Sequence, residues 1–181
     1  MNLSVQVLSG VAMVAGSYGS MLFVDTDKET ANYPLGAQVF MVGNITNIAV
    51  GLSIGDMSMV IAQAGLAYFT IPMFEEKRVS AALCMLFAYL SLQLGTAHHF
   101  HFTASWLGIC ASAVAVYGAW AMSKMKWDIM NWCWVVADLA FIYIAVLNQL
   151  LGLFILASLF VWHGYLRIKG YKRTGLFGFT K

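Results

Sequence analysis

The chain has 181 residues, of which 61% are hydrophobic and only 10% charged, and its mean hydropathy is +0.76. Soluble domains are about 25% charged, so a solvated globular surface is excluded, and no nucleic-acid partner is expected. The net charge of +2 says less than the places where the charges sit.

Seven apolar runs follow one another, at roughly 3–24, 34–55, 57–74, 79–97, 102–122, 129–147 and 149–168. Each has about the 17–25 residues that a spanning helix requires. The first reads as a span and not a cleaved leader, because no basic segment precedes it and no polar break follows it. The longest charged connection runs from Asp25 to Pro34, and Pro34 suits the first turn of the second helix. The boundary near Asn148 is the weakest, since the apolar stretch there is almost continuous. Cys84, Cys110 and Cys133 each fall inside an apolar run without metal-ligand spacing, so they are expected to be reduced and buried.

The basic residues orient the spans. Lys28, Lys77, Arg78, Lys124, Lys126, Arg167, Lys169, Lys172, Arg173 and Lys181 all fall on one side of a seven-span chain. Asp56 and the His98-His99-Phe100-His101 turn fall on the other. By the positive-inside rule the N-terminus is outside and the C-terminus cytoplasmic.

An internal repeat is visible. Tyr18-Gly19 is followed fourteen positions on by Asn32-Tyr33, and Tyr117-Gly118 fourteen positions on by Asn131-Trp132. A shift covering four spans preserves orientation. The expected architecture is therefore an all-α integral membrane protein with seven transmembrane helices: two parallel three-helix repeats joined by a linker helix. The boundaries are 1–76 for the first repeat, 77–100 for the linker, 101–170 for the second repeat and 171–181 for a basic cytoplasmic tail. Parallel repeats are a transporter architecture, with the substrate site between the halves.

Within the sixth run, Asn131, Trp134, Asp138, Phe141, Ala145 and Asn148 fall at i, i+3 and i+4 steps along one stripe. A mid-membrane carboxylate costs on the order of 3 kcal/mol without a partner or water, so this stripe should face a bundle interior or a cavity. Val135, Val136, Leu139, Ile142 and Val146 lie mostly elsewhere. Gly36, Phe40, Asn44, Asn47 and Gly51 share a face of the second helix. Asp56, Gln63 and Thr70 recur at seven-residue steps in the third, Tyr89 and Gln93 are a turn apart in the fourth, and Gln149, Gly152, Leu156 and His163 roughly align in the seventh. Single amides are often interhelical glue, worth about 0.6–2 kcal/mol. So many together point to a cavity that hydrogen-bonds a polar solute.

The 3+1+3 plan, the entry Asn32-Tyr33-Pro34-Leu35-Gly36, the Asn131-Trp132-x-Trp134…Asp138 entry and Gly164-Tyr165 resemble the Pnu-type vitamin transporters, a family whose fold is related to the SWEET sugar transporters. The likeness covers the whole chain in layout and only these patches in residues. It departs at the tryptophans, where the family shows Trp-x-x-Trp and this chain Trp-x-Trp. The resemblance implies facilitated uptake of nicotinamide riboside, an NAD precursor, by alternating access, with trapping by cytoplasmic phosphorylation. It also implies a homotrimer in a bacterial inner membrane, and no enzymatic activity or cofactor. The expected binding residues are Asn131, Trp132, Trp134, Asp138, Asn148, Gln149, Asn44, Asn47, Gln63, Tyr89 and Gln93. A Trp face suits a flat cation, Asp138 its counter-charge, and the amides its carboxamide and hydroxyls. Thiamine, another flat cation, suits the same chemistry. For Trp132 an interfacial aromatic belt is an equal alternative.

No phosphate-binding G-x-x-x-x-G-K-[ST] motif is present, so ATP hydrolysis is not expected. A second class of function, a membrane metalloenzyme subunit using His98, His99 and His101, draws on the affinity of imidazole for copper or zinc. A purely structural subunit is the third. It would bury the Asn131–Asp138 stripe without leaving a cavity.

Overall fold

The computed structural model describes residues 3–23, 33–73, 105–173 and 178–181. Six α-helices occur among them: α1 (Leu3–Phe23), α2 (Tyr33–Ile54), α3 (Met57–Thr70, prolonged by a 3-10 turn Ile71–Met73), α4 (Trp106–Ser123), α5 (Trp127–Leu147) and α6 (Leu151–Ile168). A short antiparallel hairpin follows, β1 (Lys172–Arg173) against β2 (Phe179–Thr180). All helices except α3 are long and apolar enough to cross a bilayer, the signature of a multi-pass membrane protein. The fourth apolar run at 79–97, and the linker at 77–100 with it, lie outside the described residues.

Local chemistry sets the helix ends. Asp56 caps α3, its carboxylate accepting from Ser58 N at 2.9 Å and Met59 N at 3.2 Å. Ser105 caps α4, its hydroxyl accepting from Gly108 N at 3.0 Å. Both satisfy amides that the first turn leaves without carbonyl partners. The nearly continuous apolar stretch around Asn148 does break: α5 stops at Leu147, Asn148 Nδ2 donates back to Ile144 O at 3.0 Å, and Gln149 takes a left-handed φ of 55°.

Each helix packs against its neighbours in sequence, and α1 closes on α6. The result is a ring of six. Neighbours joined by a described turn are antiparallel, but two seams are parallel. At the α3/α4 seam, Gly108 packs on Ser58 and Gly65 on Val116, so numbers rise together along both helices. At the α1/α6 seam, Gly152 packs on Ser9 and Gly16 on Leu156. Met73 and Ser105 therefore lie at opposite ends of the ring. Lys124, Lys126, Arg167 and Lys169 share the Met73 end; among the described residues the Asp56 end carries no Lys or Arg.

The two parallel seams are built alike. Ser9 Oγ accepts from Leu153 N at 2.9 Å, serving an amide in the first turn of α6 from a different helix. Across the other seam Ser112 Oγ reaches the Ser58 carbonyl. A wider correspondence joins the halves. Residues ninety-four apart play matching parts in α2–α3 and α5–α6: Gly55 and Gln149 both take positive φ in the intervening turns, 71° and 55°. In α1 and α4 the offset is ninety-nine, and Tyr18 and Tyr117 are both exposed while Gly19 and Gly118 both pack on the next helix. The change of offset corrects the repeat expected from sequence. The α4–α5 connection is shorter than the α1–α2 one, so Asn131 lies inside α5 and matches Ala37, not Asn32.

Outside the ring, Val7, Val11 and Val14 on α1, and Val136, Leu139, Tyr143 and Val146 on α5, are exposed. An apolar exterior with polar groups inward is what lipid demands. Cys133 is half-buried, but Cys110 is exposed, on the outer face of α4. That corrects the expectation that every cysteine is buried: being apolar, Cys110 is as suited to lipid as to a core.

Candidate functional site

The middle of the ring encloses a cavity of about 30 Å³ to which all six helices contribute, with Gly16 from α1 and Ala115 from α4 leaving room by their size. Its polar lining is Asn44, Asn47, Gln63, Trp134 and Asp138, from the middles of α2, α3 and α5. The α2 stripe follows the face expected from Gly36, Phe40, Asn44, Asn47 and Gly51, all of which are buried. The α5 stripe also holds: Asn131, Trp134, Phe141 and Ala145 are buried, while Val136, Leu139 and Val146 face out.

Pseudo-symmetry organises this lining. Phe40, Asn44 and Asn47 of α2 stand at positions equivalent to Trp134, Asp138 and Phe141 of α5, with the same i, i+4, i+7 spacing. Gln63 and Leu66 of α3 match Ala157 and Phe160 of α6. Every polar member therefore has a different residue as its mate, and the cavity carries one carboxylate.

Four polar atoms of these lining residues are buried without a hydrogen bond: Asn44 Nδ2, Asn47 Oδ1, Gln63 Oε1 and Trp134 Nε1. Two are donors and two acceptors. Asn44 is 3% exposed, Asn47 2%, Gln63 8% and Trp134 6%, so water outside the ring does not serve them. Leaving such a group unpaired costs about 1–3 kcal/mol, and native structures tolerate few. The three amide atoms, one donor and two acceptors, would suit a guest that bears both donors and acceptors.

Trp134 sits between two rings. Phe40 stacks on it at 5.8 Å and 22°, Phe160 at 5.4 Å and 23°. The Trp134 ring lines the cavity between α2 and α6, while its Cδ1–Nε1 edge lies against Gly118 of α4. Beyond the Trp134–Phe160 pair, toward the basic end, lies a smaller cavity of about 10 Å³ lined by Ser20, Asn131, Trp134, Phe160, His163 and Arg167 among others. There Arg167 Nη1 donates to Asn131 Oδ1 at 3.4 Å, and His163 is packed by Phe179 of the hairpin at 5.3 Å.

Five of the residues expected to bind solute thus converge: Asn44, Asn47, Gln63, Trp134 and Asp138. Asn131 belongs to the adjoining cavity. Trp132, Asn148 and Gln149 are not brought to the site. Trp132 is 58% exposed because two helical steps from Trp134 turn it about 200° to the outer face. Asn148 and Gln149 form the α5–α6 turn at the ring's end, where Gln149 O accepts from Gln6 Nε2 at 2.7 Å. Asp56, in step with Gln63 and Thr70, caps its helix and does not reach the cavity. Tyr89, Gln93 and His98 to His101 lie outside the described residues; among the described residues no group of three metal-ligating side chains occurs. Sequence reasoning passed over Gly16, Ala115, Leu66 and Phe160. The signal for them was the offset between halves, which pairs each with a residue of the opposite unit.

No family model matches this chain, and neither a curated protein nor a solved structure is found to be similar to it.

Proposed function

We propose that the chain is a carrier that moves a small polar cation across a membrane, with nicotinamide riboside as the solute the sequence resemblance favours. The observation that carries this reading is the cavity in the middle of the ring, lined by unpartnered amides and a single carboxylate. Buried hydrogen-bonding groups that the protein leaves unserved are the mark of a site made for a polar guest, and intramembrane acids mark solute pathways. Asp138 supplies the counter-charge; Asn44, Asn47 and Gln63 supply hydrogen bonds. Pockets that hold drug-sized ligands run about 300–1,000 Å³, so the ring as it stands is closed, and loading requires the halves to part.

The parallel α3/α4 pair supports a further span between residues 73 and 105, because the chain has to return across the ring. With it the layout is seven spans in a 3+1+3 order, and the basic end faces the cytoplasm by the positive-inside rule. Uptake then runs downhill, with cytoplasmic phosphorylation trapping the solute. The test is uptake of radiolabelled nicotinamide riboside into proteoliposomes. Entry without an imposed ion gradient is expected. Entry of thiamine alone shifts the substrate, and entry of neither ends the carrier reading.

A further inference from the structure

Resting on the carrier reading, we propose that Asp138 carries a proton whenever the ring closes without its solute, so that one cationic solute is exchanged for one proton. Three observations lead there. The first is size. A cavity of about 30 Å³ holds one or two waters and no organic solute, so the closed ring is a form the carrier passes through unloaded.

The second is charge. Asp138 lines this cavity with no hydrogen bond or ion pair to any described residue. What faces it from the other helices is Gly16, Asn44, Asn47, Gln63, Ala115 and apolar side chains of α6; none titrates or carries charge. Among the described residues, His163 and Arg167 line the separate cavity beyond the Trp134–Phe160 pair. Cys133, on the same helix, packs toward Gly118. An isolated ionised carboxylate costs far more than its protonation in a low-dielectric interior without a partner, and such a group takes up a proton instead, so the closed, unloaded ring holds the acid neutral.

The third is hydrogen-bond sense. A carboxylate is an acceptor only, whereas a carboxylic acid also offers an O–H. Asn47 Oδ1 and Gln63 Oε1 are orphaned acceptors, and an ionised Asp138 serves neither. Its protonated form donates to one, directly or through a water, while its carbonyl serves the orphaned N–H of Asn44.

The cycle balances. When the ring opens outward, the Asp138 O–H bond breaks, the proton leaves to water, and the cation takes its place beside the carboxylate. After the solute leaves inside, a cytoplasmic proton rebinds before the ring closes. One positive charge moves in and one moves out.

The experiment uses the full chain in proteoliposomes with a pH-sensing dye in the lumen. Nicotinamide riboside or thiamine, both fixed cations, is added outside. The expected result is lumenal alkalinisation of one proton per solute, with an entry rate unchanged by a valinomycin–potassium potential. Uncompensated entry of one charge would instead give about tenfold accumulation per 59 mV. Asp138→Asn is expected to abolish the pH change and make any remaining entry respond to the potential. Solute entry through the wild type with no pH change overturns the exchange and leaves the carrier reading standing. If neither solute enters, the carrier reading fails and the exchange falls with it. The wild-type proton count decides even where Asp138→Asn does not fold.

Discussion

The α1/α6 seam offers a sharp test of how the ring is closed. A methyl group at Gly152 would overlap the Ser9 backbone and hydroxyl, so Gly152→Ala must push the two helices apart. Overpacking of this kind costs about 1–3 kcal/mol. The 2.9 Å bond from Leu153 N to Ser9 Oγ would stretch or break, at a further cost of about 1 kcal/mol. Alanine returns about 1 kcal/mol through its helix propensity. The net loss is about 1–3 kcal/mol, which for a chain of this length lowers Tm by about 3–10 °C. The assay is thermal unfolding of the purified protein in detergent, followed by far-ultraviolet circular dichroism. Two further substitutions calibrate it. Gly108→Ala, at the equivalent seam, meets mainly the Ser58 side chain and not its backbone, so its loss should be smaller. Gly10→Ala has no atom within 4 Å of the added methyl and should gain up to about 1 kcal/mol. A Gly152→Ala protein that unfolds at or above the wild-type temperature refutes the close seam.

The central cavity predicts opposite effects on stability and binding. Asn47→Leu and Gln63→Leu each remove an orphaned acceptor, so each should raise stability by about 1 kcal/mol while abolishing solute binding in calorimetry; a fall in Tm with binding retained would mean that the oxygen is bonded within the protein. Trp134→Ala, which strips the ring between Phe40 and Phe160, should cost about 3–5 kcal/mol, whereas Trp132→Ala on the outer face should stay within about 0.5 kcal/mol in stability and in solute affinity. Asp56→Ala removes the acceptor for two amides of α3 and should lower stability by about 0.5–2 kcal/mol without changing affinity, an outcome that thermal unfolding and calorimetry check side by side.

Helix placement was legible because spans are set by length and apolarity, which need no knowledge of packing; even the α5–α6 break is marked by Asn148 and Gln149. The inward stripes of α2 and α5 were legible because polar side chains at helical spacing in lipid have one tolerable direction. The exposed Trp132 fits the interfacial alternative given for it, because residues two apart on a helix cannot share a face and Trp134 takes the inward one. Gln149 and Asn148 were misplaced because amides at a span's end serve a turn as readily as a solute. The stacking on Trp134 depends on Phe40 and Phe160 from other helices, information that no local pattern holds. The single offset of ninety-nine read from the sequence does not carry through α5 and α6, because the α4–α5 connection is shorter than the α1–α2 one.

The single acid facing an amide at its mate position has a consequence for how such a centre can be made at all. Two identical half-chains closing the same ring would be forced to place the same side chain at both points, giving a pair of amides or a pair of repelling acids. A continuous chain, free to vary each half separately, can set one fixed charge in the cavity and leave the matching place neutral.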